Sequence, residues 1–226
     1  MPYIAIVLPV LNEEAQVAVC LRALQPLREQ GCELIVADGG SRDRTLALAE
    51  PLADRLVSSP RGRAAQMNAG ARQASGEILW FLHADSLPPP DAASLIRAAL
   101  ADPGRHWGRF DVHLSGHQPL LRVVETLMNL RSRLTGIATG DQGIFVRRAL
   151  FERIGGYPSI ALMEDIALCR RLKTYGRPVC LRQRLQTSSR RWERDGISRT
   201  ILLMWRLRLA YFLGADPARL ARIYYR

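Results

Sequence analysis

A run of strand-forming residues at 77–82 stops at His83-Ala84-Asp85, and Pro88-Pro89-Pro90 then forbids continuation as strand or helix. An apolar strand that ends in a carboxylate is how an open α/β sheet presents an acid to a ligand at its carboxyl edge. Asp85 is therefore read as an anchor for a divalent cation and a phosphorylated ligand.

The preceding chain repeats the pattern. A β-forming run at 3–8 ends in Pro9-Val10-Leu11-Asn12-Glu13-Glu14, with Asn12 expected to cap a helix that carries Val17, Leu21, Leu24 and Leu27. A second run at 33–37 ends in Asp38-Gly39-Gly40-Ser41-Arg42-Asp43-Arg44-Thr45, where Ser41 or Asp43 is expected to cap the next helix. A short strand at 55–58, a helix of small residues at 64–74 and the strand at 77–82 complete a β-α-β-α-β-α-β order. That order predicts a mainly parallel central sheet with flanking helices and polar groups from three strand ends on one edge. Neither Gly-x-Gly-x-x-Gly nor a Walker phosphate loop is present.

Beyond the prolines, helices are expected at 91–101 and 120–134 and strands at 107–115 and 144–146. A turn is expected at 150–154 and a helix opened by Met163-Glu164-Asp165; the segment 179–181 and a polar stretch to Arg194 follow without an assigned element. The expected partition is a domain at 1–195 and a C-terminal amphipathic helical tail at 196–226. In the tail, Ile201, Leu202, Trp205, Leu209 and Phe212 form one apolar stripe, read first as a core or homodimer contact and second as peripheral contact with an anionic membrane.

The formal net charge of +11 favours anionic partners. No zinc-finger or aromatic RNP-type motif points to nucleic acid. Cys20, Cys32, Cys169 and Cys180 are scattered without a Cys-x-x-Cys pair, and the N-terminus lacks the basic region of a signal peptide. A cytoplasmic protein, with the inner membrane surface as a second location, is the expectation.

Four segments in order, Pro9–Glu13, Asp38–Thr45, His83-Ala84-Asp85 and Glu164-Asp165, resemble the family 2 inverting glycosyltransferases, which have the GT-A fold. The segment from Arg61-Gly62-Arg63-Ala64 to Asn68-Ala69-Gly70 and residues 143–148 add to the likeness, which spans roughly residues 3–190. The nearest likeness is to the small bacterial transferases associated with radical-SAM and selenium-related genes. The resemblance implies donor contacts at Pro9, Leu11, Glu13, Asp38, Arg63, His83, Ala84 and Asp85, with Asp38 on the nucleotide base and ribose. It implies Mn²⁺ or Mg²⁺ at Asp85, Asp165 as catalytic base and Glu164 beside it. His83 departs from the family by standing where the first acid of an Asp-x-Asp motif belongs.

The activity so implied is inverting transfer from a nucleoside-diphosphate sugar, a UDP-sugar before GDP-mannose, to an unknown small-molecule or lipid-linked acceptor. A sugar-nucleotide nucleotidyltransferase, a membrane-associated polyprenyl-phosphate glycosyltransferase and a non-catalytic binding protein stay open as alternatives. On the residues alone, Asp38 is also readable as a turn-capping residue, and Glu13, Glu164 and Asp165 as first-turn helix acids.

Overall fold

The structure, a computed structural model, describes residues 3–225. Four parallel strands open it: β1 (Ile4–Val10), β2 (Cys32–Asp38), β3 (Arg55–Ser58) and β4 (Ile78–Phe81). They alternate with helices α1 (Val17–Glu29), α2 (Thr45–Ala49) and α3 (Arg63–Gln73). Then follow β5 (Ser86–Leu87), α4 (Ala92–Ala99), β6 (Trp107–Leu114), α5 (Pro119–Thr135), β7 (Phe145–Arg147) and α6 (Arg148–Arg153). The chain closes with α7 (Glu164–Leu172), β8 (Val179–Thr187), α8 (Arg190–Asp195), α9 (Ile197–Phe212) and α10 (Pro217–Tyr224).

All eight strands form one sheet in the order β3-β2-β1-β4-β7-β6-β8-β5. The ladders β3·β2, β2·β1, β1·β4 and β6·β8 are parallel, and β7 and β5 pair antiparallel with their neighbours. The expected α/β architecture with a mainly parallel sheet is thus the observed one.

β1 is covered on both faces, so its sequence is apolar at nearly every position. Ala5 and Val7 enter one core layer with Met67, Phe81, Tyr157, Leu168 and Leu207, while Ile4, Ile6 and Leu8 enter the other with Leu21, Leu24, Trp80 and Ile96. The small residues of α3 let that helix lie close on β1: a Cβ added at Gly70 would sit 2.5 Å from Cγ1 of Val7.

Several sequence expectations are corrected. Asn12 does not cap α1, which starts a turn later at Val17; it stands at φ 54° in the preceding loop. Residues 150–154 are mostly helix, as part of α6. The segment from 179, to which the sequence assigns no element, is strand to Thr187: exposed Arg182, Gln183 and Arg184 hide a ladder with β6 that shifts register between Phe110 and Asp111. The C-terminal segment holds two helices, and Leu207, Leu220 and Ala221 belong to the main core. Of the expected stripe, Leu202, Trp205, Leu209 and Phe212 are exposed rather than packed in the core.

Replacing Gly70 with Ala will force Val7 aside in a filled layer and destabilise the fold by about 1–3 kcal/mol in urea unfolding. Pairing it with Val7→Ala should recover part of that loss, and equal loss in both would exclude the contact as the cause.

Candidate active site

The carboxyl ends of β1, β2 and β4 bring three polar loops to one edge. The loops after β1 and β2 are laced together. The Asn12 N–H donates to Ser41 Oγ at 2.9 Å, the Arg42 N–H to Asn12 Oδ1 at 2.9 Å, and the Glu13 N–H to Thr45 Oγ1 at 2.7 Å. Ser41 Oγ donates in turn to Asp38 Oδ1 at 2.5 Å, and Asp38 also accepts the N–H groups of Gly40 and Ser41. Buried Asp38 therefore serves its own turn. The N-cap of α2 is Arg44, so neither Ser41 nor Asp43 caps that helix; Ser41 is taken up by Asp38, and Asp43 Oδ1 accepts the Thr45 N–H at 3.0 Å from one residue further out.

Gln66 of α3 sits beneath these loops, wholly within the protein. Its amide donates to the Val10 carbonyl at 2.6 Å and to the Ala37 carbonyl at 3.0 Å. Gly39 leaves room for it, since a Cβ there would lie 3.0 Å from the amide carbon. Above lies a cleft of about 370 Å³ lined by Leu11, Asn12, Gly39, Gly40, Arg42 and Arg61. An apolar side chain, exposed backbone groups and two guanidiniums suit a planar base with an anionic tail.

The second half of the site centres on the turn 140–142. His83 Nδ1 lies 3.4 Å from Asp141 Oδ1, and a Cβ on Gly140 would fall 2.5 Å from His83 Nε2. The Gly140 N–H donates to Asp165 Oδ2 at 3.1 Å, while Asp165 Oδ1 accepts the Ile166 N–H at 2.7 Å. Thus one glycine touches both the β4 tip and the start of α7. Met163, just before Glu164 and Asp165, holds φ 68°. Met163 and Asn12 are the only non-glycine residues with positive φ among the described residues, and both lie in site loops, where such strain collects.

The charges interact across this edge. Desolvation and the neighbouring Glu164 push the Asp165 carboxyl up to about 6, against the two backbone N–H groups that favour its anion. Desolvation and Asp85 raise Glu13, partly offset by Arg190 and Arg63. Desolvation opposes the charge of Asp141, but the His83 hydrogen bond and the charges of His83, Arg63 and Arg191 hold it below the ordinary range. Half-buried Asp85 accepts only a long contact, 3.5 Å, from Thr187 Oγ1. Arg191 stacks over Tyr224 at 3.7 Å and donates to its carbonyl at 2.8 Å, so α10 reaches the site's rim.

Of the expected site residues, the structure gathers Glu13, Arg63, His83, Asp85, Glu164 and Asp165 around this edge. Leu11 lines the cleft. Pro9 lies within β1, paired in register with Ala37, and the Ala84 side chain is core, leaving only its backbone for a ligand. Sequence reasoning did not find Gln66, which looks like any polar helix residue, and met Asn68 only within a family-like segment, with no role assigned. The Asn68 amide exchanges two hydrogen bonds with the backbone of Tyr157, at 2.8 and 2.9 Å, and fixes the loop that leads to α7.

Among the described residues, no cluster of three or more His, Cys, Asp or Glu could by itself hold a metal ion. Half-buried Asp85 at the β4 tip presents a single carboxylate, and a cation of the Mg²⁺ type takes one or two carboxylates and fills its other positions with phosphate oxygens and water.

The family model for glycosyl transferase family 2 matches residues 5–154. The probable glycosyltransferase YdaM of Bacillus subtilis is 24% identical across 95% of this chain and 55% of its own length. The chain thus spans about half the length of that curated relative. Mannosyltransferase PcManGT of Pyrobaculum calidifontis, solved with GDP-Man and Mn²⁺, superposes with TM-score 0.68 at 23% identity, covering 99% of this chain and 68% of that one. Glucosyl-3-phosphoglycerate synthase of Mycobacterium tuberculosis, solved with Mn²⁺ and UDP, gives TM-score 0.62 at 23% identity, covering 82% and 71%. At these identities the likeness to both structures is one of fold.

Changing Gln66 to Leu will leave the Ala37 carbonyl buried without its donor and cost about 1–3 kcal/mol in chemical denaturation. A stability equal to wild type would mean that the amide does not hold the strand ends.

Proposed function

Because the chain belongs to glycosyl transferase family 2, we propose that it moves a sugar from a nucleoside-diphosphate donor to an acceptor hydroxyl with inversion at the anomeric carbon. The acceptor oxygen bonds to that carbon, and the bond from the carbon to the diphosphate oxygen breaks. The electron pair leaves with the nucleoside diphosphate, and the hydroxyl proton passes to Asp165. The observation that carries this reading is Asp165 itself: partly desolvated, raised toward neutrality beside Glu164, and held at the Gly140 turn that meets the β4 tip.

The donor's base is assigned to the cleft lined by Leu11, Asn12 and Arg42. Asp38 acts there as a positioning residue, through the turn that it ties. Uracil is the favoured base. UDP in the mycobacterial synthase and GDP-Man in the archaeal mannosyltransferase leave guanine as the second choice. Arg61 and Arg63, at the entry to α3, are assigned to the diphosphate. Asp85, with Asp141 through its open carboxylate, would hold Mn²⁺ or Mg²⁺, which when bound neutralises charge on the departing diphosphate. His83 is then the residue that orients Asp141, so the family's missing acid is supplied from a different loop.

Asp165→Asn should lower transfer by at least about a thousandfold while nucleoside-diphosphate affinity stays within about threefold of wild type. Because the base acts as its anion and its carboxyl is raised, turnover should climb with pH through about 6 and level off above it. A variant that still turns over would remove Asp165 as base. Intact Mn²⁺-dependent binding with no transfer to any acceptor would favour a binding protein. Asp85→Ala should abolish the Mn²⁺ dependence of UDP binding in calorimetric titration, and an unchanged isotherm would refute its place at the cation.

A further inference from the structure

Helix α5 exposes Leu120, Val123, Leu127, Leu130 and Leu134, spaced by three, four, three and four residues. Helix α9 exposes Leu202, Trp205, Leu209 and Phe212 at steps of three, four and three. Each is a full apolar stripe left outside the core. Leu127 is 52% exposed, Leu134 67%, Trp205 66% and Leu209 62%. The two helices meet along a different seam, where Leu121, Val124 and Met128 of α5 face Ile197 and Ile201 of α9. Their stripes are therefore surplus to the packing that joins them.

The charges beside the stripes are of one sign. α9 and α10 contain no acidic residue and carry Arg199, Arg206, Arg208, Arg219 and Arg222. The one acid of α5, Glu125, is buried against His113 and Arg122; of the helix's other two arginines, Arg133 is paired with Asp111 and Arg131 is half-buried. A second copy of the chain meeting this face about a twofold axis would set arginines against arginines. An anionic lipid surface instead accepts the apolar stripe at the acyl boundary and the guanidiniums at the headgroups. No helix among the described residues is long and apolar enough to cross a membrane, so the contact lies in the plane of the surface.

We propose that the α5–α9 face docks peripherally on an anionic phospholipid surface, with Leu127, Trp205 and Leu209 entering the interface and Arg206 contacting headgroups. The site chemistry proposed above has no part in this inference, and binding requires neither donor nor cation.

The test is flotation of the full chain with vesicles of phosphatidylglycerol and phosphatidylcholine against vesicles of phosphatidylcholine alone. The protein should float with the first and stay behind with the second, and its tryptophan emission should shift to the blue on binding. Trp80 and Trp107 are fully buried, so Trp205→Phe should remove most of that shift. Leu127→Glu and Trp205→Glu should each weaken partitioning at least tenfold, and Arg206→Ala about fivefold. All three should melt as wild type does, since each side chain is exposed.

No flotation at any phosphatidylglycerol fraction would overturn the proposal, as would variants that melt normally and float like wild type. Self-association that Trp205→Glu dissolves, seen by sedimentation in the absence of vesicle binding, would assign the face to a second copy instead. Failure of either kind would leave the Asp165 experiments unaffected.

Discussion

Gly140 is the point at which the two halves of the site are joined. Its N–H holds the Asp165 carboxylate, and its bare Cα admits the His83 ring. Any side chain there would push the ring off the turn and with it the Asp141 contact. The carboxylate above the sheet edge and the acid at the start of α7 come from elements that do not pair with each other. Their separation is set by this one residue and by the rigid parts on either side. On the α7 side, the Asn68–Tyr157 bonds fix the approaching loop, and strained Met163 sets the helix's first turn. Such strain persists only where surrounding contacts over-determine it.

The opposite half depends on keeping β1 and β2 correctly spread at their ends. Parallel strands in register up to Val10 and Asp38 must part if a planar ligand is to lie between the loops that follow them. Gln66 bridges the last carbonyls, and the Asn12–Ser41–Asp38 bonds tie the loops above. A carboxylate already taken up by three donors is better suited to shaping the turn than to catching a mobile base. This narrows the meaning of Asp38 relative to what its position at a strand end suggests.

Much of this was legible in the residues because it is local. Apolar runs that stop at Asp38 and Asp85, glycines after β2 and small residues along α3 each declare their structure within a few positions. The acidic pair at Glu164-Asp165 could likewise be placed at a helix start. What was not legible is long-range and polar. Gln66 reaches strands 56 and 29 residues away in sequence, and Asn68 reaches 89. Neither carries a periodicity. The β8 strand was not legible for a related reason: Arg182, Gln183 and Arg184 sit on an exposed stretch, so burial never imprinted an alternating pattern. The stripe at Leu202, Trp205, Leu209 and Phe212 shows the converse. Helical spacing reveals a face but not what covers it, and here the core uses Ile197, Thr200 and Leu207 instead.

The same chain keeps its two kinds of charge apart. In a protein of net charge +11, the acids Glu13, Asp38, Asp85, Asp141, Glu164 and Asp165 gather at one sheet edge. Close carboxylates raise one another's proton affinity, as Asp85 does for Glu13 and Glu164 for Asp165 once desolvation has acted. Gathering them costs stability at neutral pH, and the hydrogen bonds made to Asp38, Asp141 and Asp165 offset part of that cost. An acidic edge flanked by Arg61 and Arg63 repels a bare diphosphate from one side and attracts it from the other. A cation held at Asp85 would relieve that conflict by offsetting the carboxylate charge, leaving Arg61 and Arg63 to the phosphates. The arginines of α9 and α10 are carried on helices without a single acid, which is why their excess calls for a partner of its own.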